Sequence, residues 1–280
     1  MGLEKTMLIA EGDSVMRLNF VKVSPSKNMT VFITDYVAPD HYAQMANMIM
    51  DYEYLNAEQV GFIVAPKNKK SVLRLEMSGG EFCGNAVLGA AAFCFYKGLT
   101  KNNQFLLETS GSESPLTCEV AVKSSSQFEA KAEMPHPISI KHIDINLNER
   151  SISGSVVHFN GITHLLTDYW PDKDEFNLII GEVTKIIEDK AIGVIPYRRL
   201  KEQEYEIWPF VYVKETGSRF FEQACGSGTL ALGVYLSKIN REKKFKIHQP
   251  GGIITVEVGV KNYISTDVRF TCEGLIDLKV

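Results

Sequence analysis

The stretch Ser78-Gly79-Gly80-Glu81-Phe82-Cys83-Gly84-Asn85, followed by an apolar run at residues 86–96 and closed by Lys97-Gly98, decides how this chain reads. The run is apolar on every side rather than along one stripe. A helix built from it must be buried all round, as at the centre of a barrel or between layers. Gly98 supplies the stop signal. The arrangement returns 142 positions on (83 to 225), where Glu222-Gln223-Ala224-Cys225-Gly226-Ser227-Gly228 opens a second apolar run at residues 229–236. Half the chain separates the two turns, and each places a cysteine between a nearby acidic residue and a glycine-led helix. This spacing predicts a duplicated module whose two copies face one another.

The segments around these turns read mainly as strands. Alternation at residues 18–23 and 29–34, joined by Ser24-Pro25-Ser26-Lys27-Asn28, predicts a hairpin. A helix from Asp40 follows, with Tyr42, Met45, Ala46, Ile49 and Met50 on one face. Further strands are expected at residues 60–65, 72–77, 104–109, 116–122 and 128–134. Met134-Pro135-His136-Pro137 marks the boundary between halves, since two prolines in three residues prevent regular pairing. Beyond it, strand signals at 154–159, 163–167, 191–195, 206–213, 245–247, 253–258 and 267–271 flank a helical run at 174–188.

Composition narrows the function classes. At 280 residues, with 45% hydrophobic and 23% charged side chains, the chain suits two units of about 140 residues. Its net charge is −4. Lys67 with Lys69-Lys70, and Arg241 with Lys243-Lys244, lack interleaved aromatics and read as solvated surface, which argues against nucleic-acid binding. No apolar stretch reaches about 18 residues, so no membrane helix is expected. Met1 to Glu11 is too weak for a signal peptide, so the expected location is the cytoplasm. Five cysteines, with no Cys-x-x-Cys pair, predict free thiols and no metal site.

A free cysteine is more often a buried small hydrophobe than a nucleophile. Cys94, Cys118 and Cys272 take that reading. Cys83 and Cys225 do not, because each precedes a helix led by glycine. Unpaired N–H groups at such a helix start stabilise a thiolate and are expected to lower its pKa. The same groups bind a carboxylate. Two facing turns would hold one α-carboxylate and set a thiol on each face of Cα, so that one thiolate removes a proton while the opposite thiol supplies another. Two thiols so placed also risk joining on oxidation.

These residues resemble the diaminopimelate epimerase superfamily of cofactor-independent racemases. Glu81-Phe82-Cys83-Gly84-Asn85-Ala86 is similar to its first cysteine motif, and Gln223-Ala224-Cys225-Gly226-Ser227-Gly228-Thr229 to its second. The Ser24 to Asn28 turn, Glu58-Gln59-Val60-Gly61-Phe62 and Gln249-Pro250-Gly251-Gly252 extend the likeness along the chain. The resemblance implies an α/β fold of two similar barrel-like domains, each a mixed sheet around a central helix. The boundaries carried over are 1–135 joined by a last strand at about 269–280, and 136–268, with the active site in the cleft between them. It implies Cys83 and Cys225 as catalytic acid and base, with no cofactor and no metal. Gly84-Asn85 and Gly226-Ser227 would hold the α-carboxylate, Asn28 and Gln59 would contact substrate, and Glu222 would meet the α-ammonium. A small-molecule amino-acid substrate is implied, with no nucleic acid or membrane partner, and a homodimer by analogy.

The chain departs from diaminopimelate epimerases at Glu215-Thr216-Gly217-Ser218-Arg219-Phe220-Phe221, where their Glu-Arg pair is absent. Asn28-Met29-Thr30, Glu58 to Ile63, Met77 to Ala86 and His248-Gln249-Pro250-Gly251-Gly252 instead resemble the histidine racemases of staphylopine-type metallophore synthesis. That likeness implies interconversion of L- and D-histidine, with Glu58 reaching the imidazole. Proline racemases carry His where Asn85 stands, and phenazine-type isomerases lack the two thiols. Another epimerase of the same fold, or an amino-acid-binding protein without catalysis, remain the alternatives.

Overall fold

A computed structural model describes residues 15–147, 150–214 and 217–279. The Met1 to Glu11 stretch read for targeting, and Glu215-Thr216 of the departing segment, lie outside the described residues.

The first half contributes β1 (Val15–Pro25), β2 (Thr30–Ile33), α1 (Tyr42–Met50), β3 (Gln59–Val64), β4 (Ser71–Met77), α2 (Gly84–Tyr96), β5 (Gln104–Thr109), β6 (Leu116–Val122) and β7 (Gln127–Met134). Period-two alternation explains the strands. In β4, Ser71, Leu73, Leu75 and Met77 are buried, while Val72, Arg74 and Glu76 between them are less so. β1 to β7 pair in chain order, with parallel steps at β2–β3 and β4–β5. The C-terminal strand β17 (Asn262–Lys279) lies between β7 and β1 and closes an eight-stranded barrel. α2 fills it. Every residue from Gly84 to Cys94 is buried, as the all-round apolar run requires. Each large side chain so buried, such as Leu88 or Phe93, contributes about 1.5–3 kcal/mol.

The second half adds β8 (Ser139–Leu147), β9 (Arg150–Phe159), β10 (Ile162–Thr167), α3 (Glu175–Ile186), β11 (Ala191–Lys201), β12 (Glu204–Ile207), β13 (Phe210–Val213), β14 (Ser218–Phe221), α4 (Gly226–Ile239), β15 (Lys244–Gln249) and β16 (Gly252–Glu257). Here β8, β9, β10, β11, β12, β15, β16 and β17 follow one another across the sheet, with β13 and β14 branching from β11. Among the described pairings β8 and β17 do not join, so this sheet stays open where the first closes. α4 packs into it, against β9, β10, β15, β16 and β17. α1 and α3 cover the outer faces with Met45, Ile49, Phe176 and Ile180.

Two strands escaped the sequence pattern. In β8, Lys141, His142 and Asp144 interrupt the apolar alternation because the strand pairs only with β9 and leaves an edge. β14 is four residues long, and only Phe221 of it is partly buried against the core. Among the described residues, no helix is long and apolar enough to cross a membrane.

Candidate active site

Cys83 and Cys225 are the N-caps of α2 and α4. Their backbones match closely, at φ −130°, ψ 110° and φ −121°, ψ 105°. Each sulfur accepts the amide proton three residues on, Ala86 N–H at 3.4 Å and Gly228 N–H at 3.3 Å. This is the capping role usually taken by Ser, Thr or Asp, performed here by sulfur.

The glycine after each cysteine is a requirement of space. A Cβ on Gly84 would lie 2.8 Å from Met134 Cε and 3.1 Å from Ile264 Cδ1, and one on Gly226 would lie 3.1 Å from the same Ile264 atom. β17 therefore runs beneath both helix starts. Gly226 also faces Asn85, whose Oδ1 and backbone nitrogen lie 3.3 and 3.6 Å from that Cβ position. The two helices thus meet end to end. The N–H groups of Gly84, Asn85, Gly226 and Ser227 come before the first intrahelical bonds, so two positive helix ends converge on one place.

Side chains fix this junction. Asn85 Nδ2 donates to Ala224 O at 2.9 Å, tying the first turn to the second. Buried Asn28 donates to Glu58 Oε2 at 3.0 Å and leans on Ala224 O at 3.5 Å. The Cys83 thiol donates to Gln59 Oε1 at 2.7 Å. On the other side, Ser227 Oγ stands 3.6 Å from Cys225 Sγ, and the Glu222 carboxyl bonds the same thiol. All ten residues singled out from the sequence therefore gather at the two helix starts, although Asn28 braces the site from beneath and Glu58 stands at its exposed rim.

The electrostatics correct one expectation. The cap N–H groups do pull both thiol pKa values down, but burial outweighs them. Cys83 is pushed up to about 12, and Cys225 is raised well above its ordinary value, with the neighbouring Glu222 adding to the rise. Helix-end donors offset only part of the cost of a charge taken out of water. Glu222 is itself raised to about 7, by burial first and then by Glu58. Cys94 and Cys118 are buried, as their structural reading requires, whereas Cys272 is exposed on β17.

Two supporting residues were missed. Gln249 accepts the Cys225 N–H at 2.7 Å and donates to Thr229 Oγ1 at 2.8 Å, locking the cap of α4. It stands in the Gln-Pro-Gly-Gly segment noted above, so a signal existed. His164 Nε2 lies 2.9 Å from Ser227 Oγ, and its only signal was a polar residue inside an apolar strand. Asn85 Oδ1 and Glu222 Oε2 are buried without a hydrogen-bond partner. Among the described residues no cluster of His, Cys, Asp or Glu could hold a metal ion.

Residues 17–276 match the family described as the histidine racemase CntK N-terminal domain. A histidine racemase of Fusobacterium nucleatum subsp. nucleatum is 33% identical over 270 residues, spanning 94% of this chain and 97% of that protein. One from Staphylococcus aureus is 29% identical, spanning 85% of this chain and 88% of its own. In fold, the chain is similar to a hydroxyproline epimerase from Agrobacterium vitis, with TM-score 0.71, 9% identity, and coverage of 94% of this chain and 92% of that one.

Proposed function

Because the chain belongs to the histidine racemase family, we propose that it interconverts L- and D-histidine, with Cys83 and Cys225 exchanging the Cα proton from opposite faces. The observation that carries this reading is the meeting of two cysteine-capped helix starts at Asn85 and Gly226. The substrate lodges there, between the barrel of β1 to β7 with β17 and the open sheet that runs from β8 to β17. Its α-carboxylate takes the N–H groups of Gly84, Asn85, Gly226 and Ser227. Negative charge that spreads into the carboxylate as Cα–H breaks falls on these preoriented donors. The α-ammonium meets Asn85 Oδ1 and Glu222 Oε2, two buried atoms with no hydrogen-bond partner. The imidazole extends towards Glu58 at the rim.

Burial of the thiols acts in both directions. A Cα–H bond beside a carboxylate is a very weak acid and calls for a strong base. Yet thiols raised this far are protonated at neutral pH, so one must first give up its proton, for Cys225 to the Glu222 carboxylate hydrogen-bonded to it. One thiolate abstracts the proton and the opposite thiol delivers its own, after which the roles are reversed for the other enantiomer.

Incubating L-histidine with the protein in D2O, without pyridoxal phosphate, tests the reading. Loss of the Cα–H signal in proton NMR together with appearance of D-histidine on a chiral column is the expected result. Exchange of another amino acid in place of histidine would keep the two-thiol chemistry and overturn the substrate. Tight histidine binding without exchange would leave a binding protein. Glu58→Gln is expected to weaken histidine turnover, and unchanged kcat/KM would remove Glu58 from the pocket.

A further inference from the structure

We propose that His164 is a positioning residue for Cys225: its Nε2–H fixes the Ser227 hydroxyl so that the hydroxyl proton points at the Cys225 sulfur. This rests on the reading of Cys225 as a proton carrier. His164 is fully buried on β10. Its Nε2 stands 2.9 Å from Ser227 Oγ, which stands 3.6 Å from Cys225 Sγ. The other ring nitrogen, Nδ1, is sealed and has no partner. It abuts Gly193 on the paired strand β11, where any Cβ would lie 2.2 Å from Nδ1. The fold thus keeps a glycine at 193 to seat this ring.

Burial holds the imidazole neutral, depressing its pKa to about 3, so the ring carries one proton. An orphaned N–H inside a protein is rarer than an orphaned acceptor. The proton therefore sits on Nε2, and Nδ1 is left as a bare lone pair. Nε2–H donates to Ser227, whose own O–H is then free to donate to the sulfur beside it. Glu222, from the segment before α4, is the titratable group that acts on Cys225 directly; Glu58 and Cys83 each interact with Glu222, and His164 from β10 reaches Ser227. Of these, His164 acts through an uncharged donor. Cys83 has no counterpart, because Asn85 occupies the position of Ser227 and turns its amide to Ala224 O.

The test is alkylation of the substrate-free protein by iodoacetamide across pH, mapped cysteine by cysteine by mass spectrometry. His164→Leu is expected to raise the alkylation midpoint of Cys225 by about one pH unit, the scale of one hydrogen bond to a charged group. Cys83 should keep its midpoint. His164→Gln, which restores an amide donor near Nε2, should return Cys225 close to wild type. On a Ser227→Ala background the His164→Leu change should add nothing. An unmoved Cys225 midpoint in folded His164→Leu would overturn the proposal, as would a full additional shift on Ser227→Ala. If the leucine variant does not fold, Ser227→Ala alone decides, since an unmoved midpoint there leaves the relay without an end. Histidine exchange that persists while these shifts fail would sink the relay and leave the proposed function standing.

Discussion

The two cysteine turns share a backbone and differ in what surrounds the sulfur. At Cys83 the neighbour is an amide: the thiol gives its proton to Gln59 Oε1. At Cys225 the neighbours are a hydroxyl and a carboxyl, Ser227 and Glu222, with His164 behind the hydroxyl and Gln249 behind the cap. Duplicated geometry and unequal proton chemistry together suit a reaction whose two faces do opposite things at any instant. One sulfur must hold a proton while the other is ready to take one. The repeat supplies the symmetry of position, and the neighbours break the symmetry of charge.

The largest effects should come from removing either sulfur. Cys83→Ser and Cys225→Ser are each expected to lose about 10²–10⁴-fold in racemisation, the range for a positioned acid or base. Chiral chromatography measures this directly. A sharper form follows Cα–H exchange for each enantiomer separately in D2O. The surviving thiolate can still remove and return a proton on its own face, so each variant should exchange one enantiomer without inverting it, and the two variants should choose opposite enantiomers. Equal exchange of both enantiomers by one variant would break the comparison.

A second test uses the carboxyl found only on the Cys225 side. Glu222 holds its proton up to about pH 7 in the folded protein, against 4.5 ordinarily. Between these values the unfolded chain releases a proton that the folded chain keeps. Stability from the neutral carboxyl is therefore complete below pH 4.5 and is lost as pH rises towards 7, by up to about 3 kcal/mol. Glu222→Gln should melt higher than wild type at pH 8 and converge with it at pH 4. Parallel melting curves at both pH values would show that the carboxyl is not buried as described.

The duplicated cysteine turns, the buried helix behind each and the gathering of the site residues were legible because each leaves a local mark: an apolar run without a polar stripe, a glycine after a cysteine, an acid before it. Closure of the first barrel by the last strand came from the resemblance and not from the pattern of the residues themselves, and the opening of the second sheet came from neither. Closure and opening depend on where β17 pairs, and its eighteen residues read no differently beside β7 than beside β1. The thiol pKa values went the other way from expectation because a sequence shows the helix end but not the depth of burial. His164 stayed hidden for the same reason. Its partner is 63 positions away, and the space that admits its ring is made by Gly193 on a neighbouring strand.

Gly226 and Gly84 allow a finer comparison. A methyl at Gly84 meets the flexible end of Met134, which can move aside, and the tip of Ile264. A methyl at Gly226 meets Ile264 and Asn85, and Asn85 is held by Ala224 O. Gly226→Ala should therefore cost about 1–3 kcal/mol and the larger share of activity, with Gly84→Ala nearer the low end. Urea unfolding and kcat/KM together would check the order, and the reverse order would mean that Asn85 yields more easily than Met134.

The smallest effect on turnover is expected at Gln59, and it asks whether the Cys83 side needs its amide. Gln59→Leu leaves the buried thiol without an acceptor, a loss of about 1–3 kcal/mol if the whole desolvation cost is felt. The sulfur still accepts the Ala86 N–H at 3.4 Å, so the cap survives and the helix should not fray. What changes is the proton: the acceptor that favoured S–H is lost while burial still opposes the thiolate, so the Cys83 pKa should fall from its raised value and stay above the ordinary one. Iodoacetamide mapping should show Cys83 alkylated faster near neutral pH, with Cys225 unchanged. The same variant should lower kcat in the direction that needs Cys83 as acid more than in the direction that needs it as base, with KM compensating, because an equilibrium constant of one keeps kcat/KM equal in the two directions. Equal losses in the two directions would make Gln59 a packing residue, and the asymmetry between the two turns would then rest on the Cys225 side alone.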